Sequence, residues 1–372
     1  MGDNELSMGD YLKFSIIIIG YNQQAVICRA IKSALEQSYK NVEVIYVDDA
    51  STDDSIDIIK HSFPESRLSI IQNHKNQGSS VARLLGIKAA TGEWCLFVDG
   101  DDFLCTDACE ILHKTISEQD EETDIIGFGA NIICSESVSK VSENWIKDKA
   151  CEPVLGSHST RELLRIQYGT REKAWLVWNK CFRIDVLRAA EASAEYEVFY
   201  RLTDYYLCFL ACCEGQRYYG IATPLYNYSY GPGISLQSLD FDGILRYMSG
   251  HKVTALLTEY ARKKGVLEEY RHCFESVEQD SISQSIEKVQ NLPVEDRESG
   301  ARALVNTFDP QMIMNLFMEQ RVEITRLKKE IEQQKQHIQH LLIFRFWIKE
   351  KVKNKYPIMF KNLKELYTKL WQ

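Results

Sequence analysis

The stretch Trp94-Cys95-Leu96-Phe97-Val98-Asp99-Gly100-Asp101-Asp102 runs from an apolar segment directly into three carboxylates within four residues. Its apolar part, 94–98, lacks strict alternation, as expected of a parallel strand covered on both faces. Outward from it, residues 15–19, 42–47 and 68–71 repeat that pattern, and helix-period stretches lie between them at 25–37, 55–61 and 79–90. Strand and helix in this alternation predict an α/β fold, a mostly parallel sheet with flanking helices. Ligands of such sheets bind beyond the carboxyl ends of the strands. That rule singles out Tyr21-Asn22, Asp48-Asp49-Ala50-Ser51 and Asp99-Gly100-Asp101-Asp102.

Carboxylates this close repel by about 4 kcal/mol per pair at 4 Å and an effective dielectric near 20, so a positive group is expected among them. Hard oxygen donors without Cys or His suit Mg²⁺ or Mn²⁺, which bind through one or two carboxylates, waters and substrate phosphates. The alternative is a solvated turn in which Asp102 or Thr106 caps the next helix. In the second cluster, Asp48 to Asp53, one carboxylate can accept from a base N–H, and small Ala50 and Ser51 leave room for a ring. Capping by Ser51, Thr52 or Asp53 is its alternative reading.

Other classes are excluded. No G-x-G-x-x-G follows the first strand, where Gly20-Tyr21-Asn22 stands, and no G-x-x-x-x-G-K-[ST] occurs, which disfavours dinucleotide dehydrogenases and P-loop enzymes. None of the eight histidines lies beside a G-x-S-x-G elbow. The 372 residues, 45% hydrophobic and 26% charged, suit a folded chain of two or three domains. Eleven cysteines, odd in number and without C-x-x-C pairs, read as reduced thiols of a cytosolic protein. No signal-peptide pattern opens the sequence, and the first apolar run is too short to span a bilayer. A cytoplasmic location is expected.

Charge is unevenly placed. Of 44 Lys and Arg and 53 Asp and Glu, 13 and 5 fall in residues 321–372, so that end carries +8 and the remainder −17. An acidic body argues against nucleic acid as a partner; a basic end argues for an anionic membrane surface on the inner face.

Further along, residues 124–130 read as a strand, 135–149 as an insertion, and Ser159-Thr160-Arg161-Glu162 as a capping box. A second chemical region holds Trp175 to Phe182, Asp204 at the head of a helical run, and a Gly231-Pro232-Gly233 turn. From Asp240 the pattern is helical. Ile313, Phe317, Ile324, Leu327, Ile331, Ile338 and Leu341 occupy a and d positions of four heptads, the pattern of a short coiled coil that would pair copies of the chain; a single helix packed on its own body is the alternative. Beyond Pro357, Met359, Phe360, Leu363, Leu366, Tyr367, Leu370 and Trp371 line one face with lysines off it, as in an interfacial helix.

In order, these motifs resemble the family 2 glycosyltransferases, inverting enzymes of the GT-A fold, a Rossmann-like, mostly parallel sheet with flanking helices. Ile16 to Asn22 resembles the family's opening strand and P-x-Y-N, Val47 to Asp53 its V-D-D-G-S-T-D, and Asn76-Gln77-Gly78 with Ala82-Arg83 its N-x-G and A-R-N. Asp99 to Asp102 resembles its D-x-D-D, Trp178-Asn179-Lys180 its W-N-K, and Thr203-Asp204 its E-D. The resemblance covers about residues 14–235. It implies that Tyr21 stacks on the base, Asp49 accepts from the base, Arg83 and Asp99 lie at the nucleotide, and Asp99 and Asp101 hold metal and diphosphate with Asp102 beside them. It further implies Asp204 as general base, and Trp178, Asn179 and Lys180 near the acceptor. Ile19, Leu84 and Thr203 depart from the pattern, and Ser229 stands where many members carry arginine.

The organisation expected is a tail at 1–13, a GT-A domain at 14–235, a helical extension at 236–311, a coiled coil at 312–343 and a basic amphipathic tail at 344–372. The function expected is metal-dependent, inverting transfer of a sugar from a nucleotide sugar, a UDP-sugar, to a saccharide or lipid-linked acceptor. Its rival is a non-catalytic nucleotide-sugar-binding scaffold subunit. A nucleotidyltransferase would want a basic triphosphate loop after the first strand, and residues 20–25 contain no Lys or Arg.

Overall fold

The computed structural model describes residues 12–316 except 65, 120–121, 135–142, 145 and 231–239. It divides into two compact units, 1–308 and 309–372. In the second, the described residues from Pro310 are helical.

The centre of the first unit is β1, Phe14–Gly20, whose four consecutive isoleucines favour a pleated strand and which is buried along its whole length. Ile17 and Ile19 enter one core, and Phe14, Ile16 and Ile18 the other, so no polar face interrupts the run. Helix α1, Ile27–Leu35, buries Ile27, Ala30, Ile31, Ala34 and Leu35 at the spacing of one helical face. Then come β2, Val42–Asp48; α2, Ser55–Ser62; β3, Leu68–Gln72; α3, Gly78–Ala89; and β4, Trp94–Asp99.

Strands β3, β2, β1 and β4 are parallel neighbours in that order. Their register sets Ile19 beside both Val47 and Asp99, and Gly20 beside Asp48, so the three polar motifs emerge at one edge of the sheet.

A mixed half follows: β5, Phe103–Leu104; α4, Ala108–Ser117; β6, Ile125–Cys134; β7, Gly156–Ser159; α5, Thr160–Leu164; β8, Lys180–Arg183; α6, Ile184–Ser193; α7, Thr203–Glu214; and β9, Arg217–Tyr230. β8 lies antiparallel between β4 and β6, while β9 runs parallel to β6 and antiparallel to β5 and β7. The 14-residue β9 thereby reaches from the far side of the sheet to the turn after β4. Helices α8, Phe241–Met248; α9, His251–Lys263; α10, Leu267–Gln290; and α11, Arg297–Thr307 complete the unit. Val253, Leu257, Tyr270 and Phe274 join the core that holds Phe209 of α7, so 236–308 shares the compact unit of 14–235.

The expected strands and helices of the first hundred residues are present, with ends shifted by one or two positions. The Ser159/Glu162 capping box forms, but α5 passes after five residues into a π-helical turn at Arg165–Thr170. Neither Asp102 nor Thr106 caps α4; its N-cap is Asp107, without a side-chain bond. All eleven cysteines are free thiols. Among the described residues no helix is long and apolar enough to cross a membrane. Most of the 135–149 insertion, the Gly231-Pro232-Gly233 turn, the heptads beyond Ile313 and the basic tail lie outside the described residues.

Candidate active site

The loops after β1 and β2 are stitched together. Asn22 Oδ1 accepts from Thr52 N at 2.8 Å, Ser51 Oγ from Asn22 N at 2.9 Å, and Asp53 Oδ2 from Gln24 N at 3.0 Å. Asn22 and Ala50 both take left-handed backbone, at φ 52° and 65°, a region that usually favours glycine. Asp48, 1% exposed, closes the β2 turn by accepting from Ser51 N. Tyr21 is half-buried.

Asp49 is 4% exposed, and its two oxygens accept from Asn73 Nδ2 at 2.8 Å, Gln77 N at 2.9 Å and Gly78 N at 2.7 Å. It thus fastens the start of α3 to the end of β2, and a nucleobase would have to share a carboxylate already engaged by three donors. Gly78 is required there: φ is +83°, and a Cβ would stand 2.7 Å from the Phe199 carbonyl.

From α3, Arg83 reaches under the site with 3% of its surface exposed. Its Nη2 lies 2.9 Å from Asp99 Oδ1 and its Nη1 2.7 Å from Asp204 Oδ1. Nη1 also donates to Thr203 Oγ1 at 3.1 Å, and Thr203 accepts from Ser79 Oγ at 3.0 Å. Asp204 stands in the first turn of α7, where the helix end favours negative charge, and its Oδ2 accepts from Val177 N at 3.3 Å. The preceding Leu202 is left-handed, at φ 61°.

Beyond Arg83 the aspartates diverge. Burial pushes the Asp99 carboxyl up to about 6 against the pull of Arg83, with Asp204 and Asp101 adding to the rise. Asp101 is raised by burial and is the exposed member of the three. Asp102, 1% exposed, is pushed up to about 8 by burial and by Asp99 and Asp101. Both of its oxygens are occupied, Oδ2 by Tyr226 Oη at 2.7 Å and Oδ1 by Ser229 N at 2.7 Å. Its role in the resting chain is to clamp β9 against the β4 turn.

Asp99 Oδ1 is held by Arg83 and both Asp102 oxygens are occupied, so Asp101 is the carboxylate of the three most open to a hard divalent cation. Among the described residues no group of three or more His, Cys, Asp or Glu side chains is placed to hold a metal ion. A cation here would draw its remaining ligands from water and diphosphate, as Mg²⁺ and Mn²⁺ do.

Arg29 was not singled out by its sequence. From α1 its Nη2 donates to Asp101 O at 2.6 Å and Ser229 Oγ at 2.9 Å, and the guanidinium lies 4.5 Å from the Phe103 ring centroid. A cation therefore stands beside Ser229 after all, supplied by another element. The only available signal was an exposed arginine on a helix that starts at the sheet's ligand edge.

The residues expected at the acceptor are placed differently. Trp178, Asn179 and Lys180 are 3%, 4% and 2% exposed. Trp178 stacks on Tyr226 and Tyr228, with centroids 4.8 and 5.1 Å away. Asn179 donates to Ala150 O at 3.1 Å, and Lys180 Nζ donates to Asn179 Oδ1 at 2.8 Å and to Leu176 O. These side chains are spent inside the protein, beneath β9.

Residues 15–198 match the family described as Glycosyl transferase family 2. Over 92 residues the chain is 44% identical to the UDP-Glc:alpha-D-GlcNAc-diphosphoundecaprenol beta-1,3-glucosyltransferase WfaP of Escherichia coli, covering 25% of this chain and 36% of that one. An uncharacterized glycosyltransferase of Haemophilus influenzae is 40% identical over 97 residues, and the match spans 39% of its length. The putative glycosyltransferase EpsH of Bacillus subtilis is 26% identical over 267 residues, which cover 69% of this chain and 71% of EpsH. Among solved structures, residues 1–349 of S. aureus TarS in complex with UDP-GlcNAc superpose with a TM-score of 0.55 at 20% identity, over 84% of this chain and 92% of that one. That likeness establishes the fold, GT-A, and the match at 15–198 identifies that segment as a glycosyl transferase family 2 domain.

Proposed function

We propose that the chain transfers a sugar, with inversion and with a divalent cation, from a nucleotide sugar to a hydroxyl of a saccharide or lipid-linked acceptor. The observation that carries this reading is the Arg83 bridge, which draws the carboxylate that ends β4 and the carboxylate opening α7 to one point at the ligand edge of the sheet. A UDP-sugar is the donor proposed, since UDP-GlcNAc is bound in the TarS crystal and UDP-Glc is named for WfaP. A diphosphate-linked acceptor follows the name of WfaP in the same way.

In this mechanism Asp99 and Asp101 would hold Mg²⁺ or Mn²⁺, which supplies charge neutralisation for the nucleoside diphosphate leaving group. Tyr21 and Asp49 receive the base, Arg83 holds Asp99 in place, and Arg29 adds positive charge beside the diphosphate. Asp204 takes the proton of the acceptor hydroxyl as its oxygen bonds to the anomeric carbon; the bond from that carbon to the diphosphate oxygen breaks on the opposite side. Trp178, Asn179 and Lys180 support the floor under β9 rather than touch the acceptor.

Asp204→Asn tests the assignment. Transfer is expected to fall by about 10²–10⁴-fold while the variant still binds the nucleotide sugar. Undiminished transfer would reject Asp204 as base. A scaffold subunit would release no UDP from any UDP-sugar with Mn²⁺ or Mg²⁺.

The same reading puts the chain in the cytoplasm, with 344–372 on the inner membrane face and 312–343 pairing two copies. Its support is the sequence pattern alone.

A further inference from the structure

Three cations gather on Tyr200 and Tyr247, near the segment that leads into α7. Arg201 is three residues upstream of Asp204, at most about 11 Å of chain, and the left-handed turn at Leu202 separates the two. The Arg201 guanidinium lies 3.9 Å from the centroid of the Tyr247 ring, and Lys288 Nζ lies 4.7 Å from the same centroid. Arg246 approaches Tyr200 at 5.7 Å. Among the described residues, none of these three cations has a carboxylate within ion-pair distance, although the first 320 residues are acidic overall. The acids nearby do not compensate. Asp280 acts on Arg201 from a distance but is paired with Arg171 at 2.7 Å, and Glu287 acts on Tyr247 without an ion pair to any of the three among the described residues.

One donor is left over. Arg201 Nη2 is bonded to Gln284 Oε1, but Nη1 is buried and has no hydrogen-bond partner among the described residues. A buried charged donor left unsatisfied is destabilising. Burial accordingly lowers the Arg201 pKa, against the influence of Tyr247 and Asp280. The patch is continuous with the site: Tyr200 Oη donates to Asn76 O at 3.4 Å, and its ring would touch a Cβ at Gly78, whose amide Asp49 holds.

We propose that Arg201, Arg246 and Lys288, with Tyr247 between two of them, form a subsite for an acidic group of the acceptor, a phosphate or a carboxylate. This rests on the transferase reading and narrows its acceptor to an anionic saccharide. Such a group would supply the counter-charge the cluster lacks, with Lys288, half-exposed, donating the charge-assisted bond and Arg201 and Arg246 adding positive charge.

Calorimetric titration of the full chain in EDTA tests it, with glucose 1-phosphate, glucuronate and glucose as probes. EDTA prevents a phosphate from being held through a cation at Asp99 and Asp101. Glucose 1-phosphate is expected to bind, glucose to fail, and Kd to rise about tenfold or more in Arg201→Gln and in Lys288→Gln. Lys288 is half-exposed on α10, so its replacement reports even if Arg201→Gln does not fold. Arg262→Gln, which removes an exposed pair with Glu259, is expected to match the wild type. Glucuronate separates the sources: binding like the phosphate marks a general acid subsite, and no binding marks a phosphate-bearing acceptor. Equal binding of glucose, no binding of either anion, or anion binding unchanged in both variants overturns the subsite. The titration uses neither donor nor turnover, so a failed transfer assay would count against the transferase reading without touching this result.

Discussion

Arg83 shows what one side chain can settle. A planar guanidinium offers two separated donors, and here one goes to Asp99 and the other to Asp204. A lysine, with a single charge at the end of its chain, would have to choose. Glu43 is the structural counterpart at the opposite end of β1 and β2. Burial would raise its carboxyl, but Lys13 Nζ at 2.8 Å, Ser15 Oγ at 2.5 Å and Thr91 N at 2.6 Å hold it down at about 2. Because the folded value lies below the ordinary 4.5, this stabilisation is complete above about pH 4.5 and disappears as pH falls from there toward 2. Glu43→Gln should therefore cost up to about 3 kcal/mol at neutral pH, with more than half of the gap closed at pH 3. Urea denaturation at pH 7 and pH 3 reads both values, and an equal gap at the two would refute the linkage. Residue identities at the site were legible in the motifs; their partners were not. Thr203 stood out only as a departure from a pattern, yet it receives Arg83 and Ser79, contacts made across segments far apart in the chain.

Among elements, the long apolar strands could be read because burial on both faces leaves an uninterrupted hydrophobic run, as in β1 and β4. β5 has two residues, β7 is Gly-Ser-His-Ser and β8 opens on lysine, so none carries that signal, and each owes its place to a neighbouring strand. The crossing of β9 to β5 was equally hidden, since a strand's partners are set by register and not by its own composition. Two loops define the mouth of the site, the start of α3 and the segment leading into α7, and they meet where Gly78 faces the Phe199 carbonyl. Gly78→Ala adds a methyl group 2.7 Å from that oxygen in a backbone conformation hostile to L-residues. It should cost about 1–3 kcal/mol and displace the turn that carries Arg201 and Asp204. A melting temperature equal to the wild type's would mean that the two loops do not abut so closely.

At the scale of the whole molecule, the dominant feature is charge segregation, a body of −17 and an end of +8. Residues 344–372 alone hold eight Lys and Arg against two Glu, interleaved with Phe360, Leu363, Leu366, Leu370 and Trp371. An acidic body is repelled by an anionic bilayer, whereas each basic residue near such a surface gains about 1 kcal/mol, so the two parts should respond in opposite ways to the same vesicle. The full chain is expected to sediment with vesicles of phosphatidylglycerol and phosphatidylcholine at low salt and to remain in solution with phosphatidylcholine alone. Binding should weaken as salt rises, because exposed charges are screened over about 8–10 Å near physiological ionic strength. Removing 344–372 should abolish the sedimentation while leaving the site aspartates untouched, because those residues lie outside unit 1–308. Vesicle binding that survives the deletion would place the membrane contact, if there is one, on the acidic body, where electrostatics oppose it and an apolar patch would have to be found.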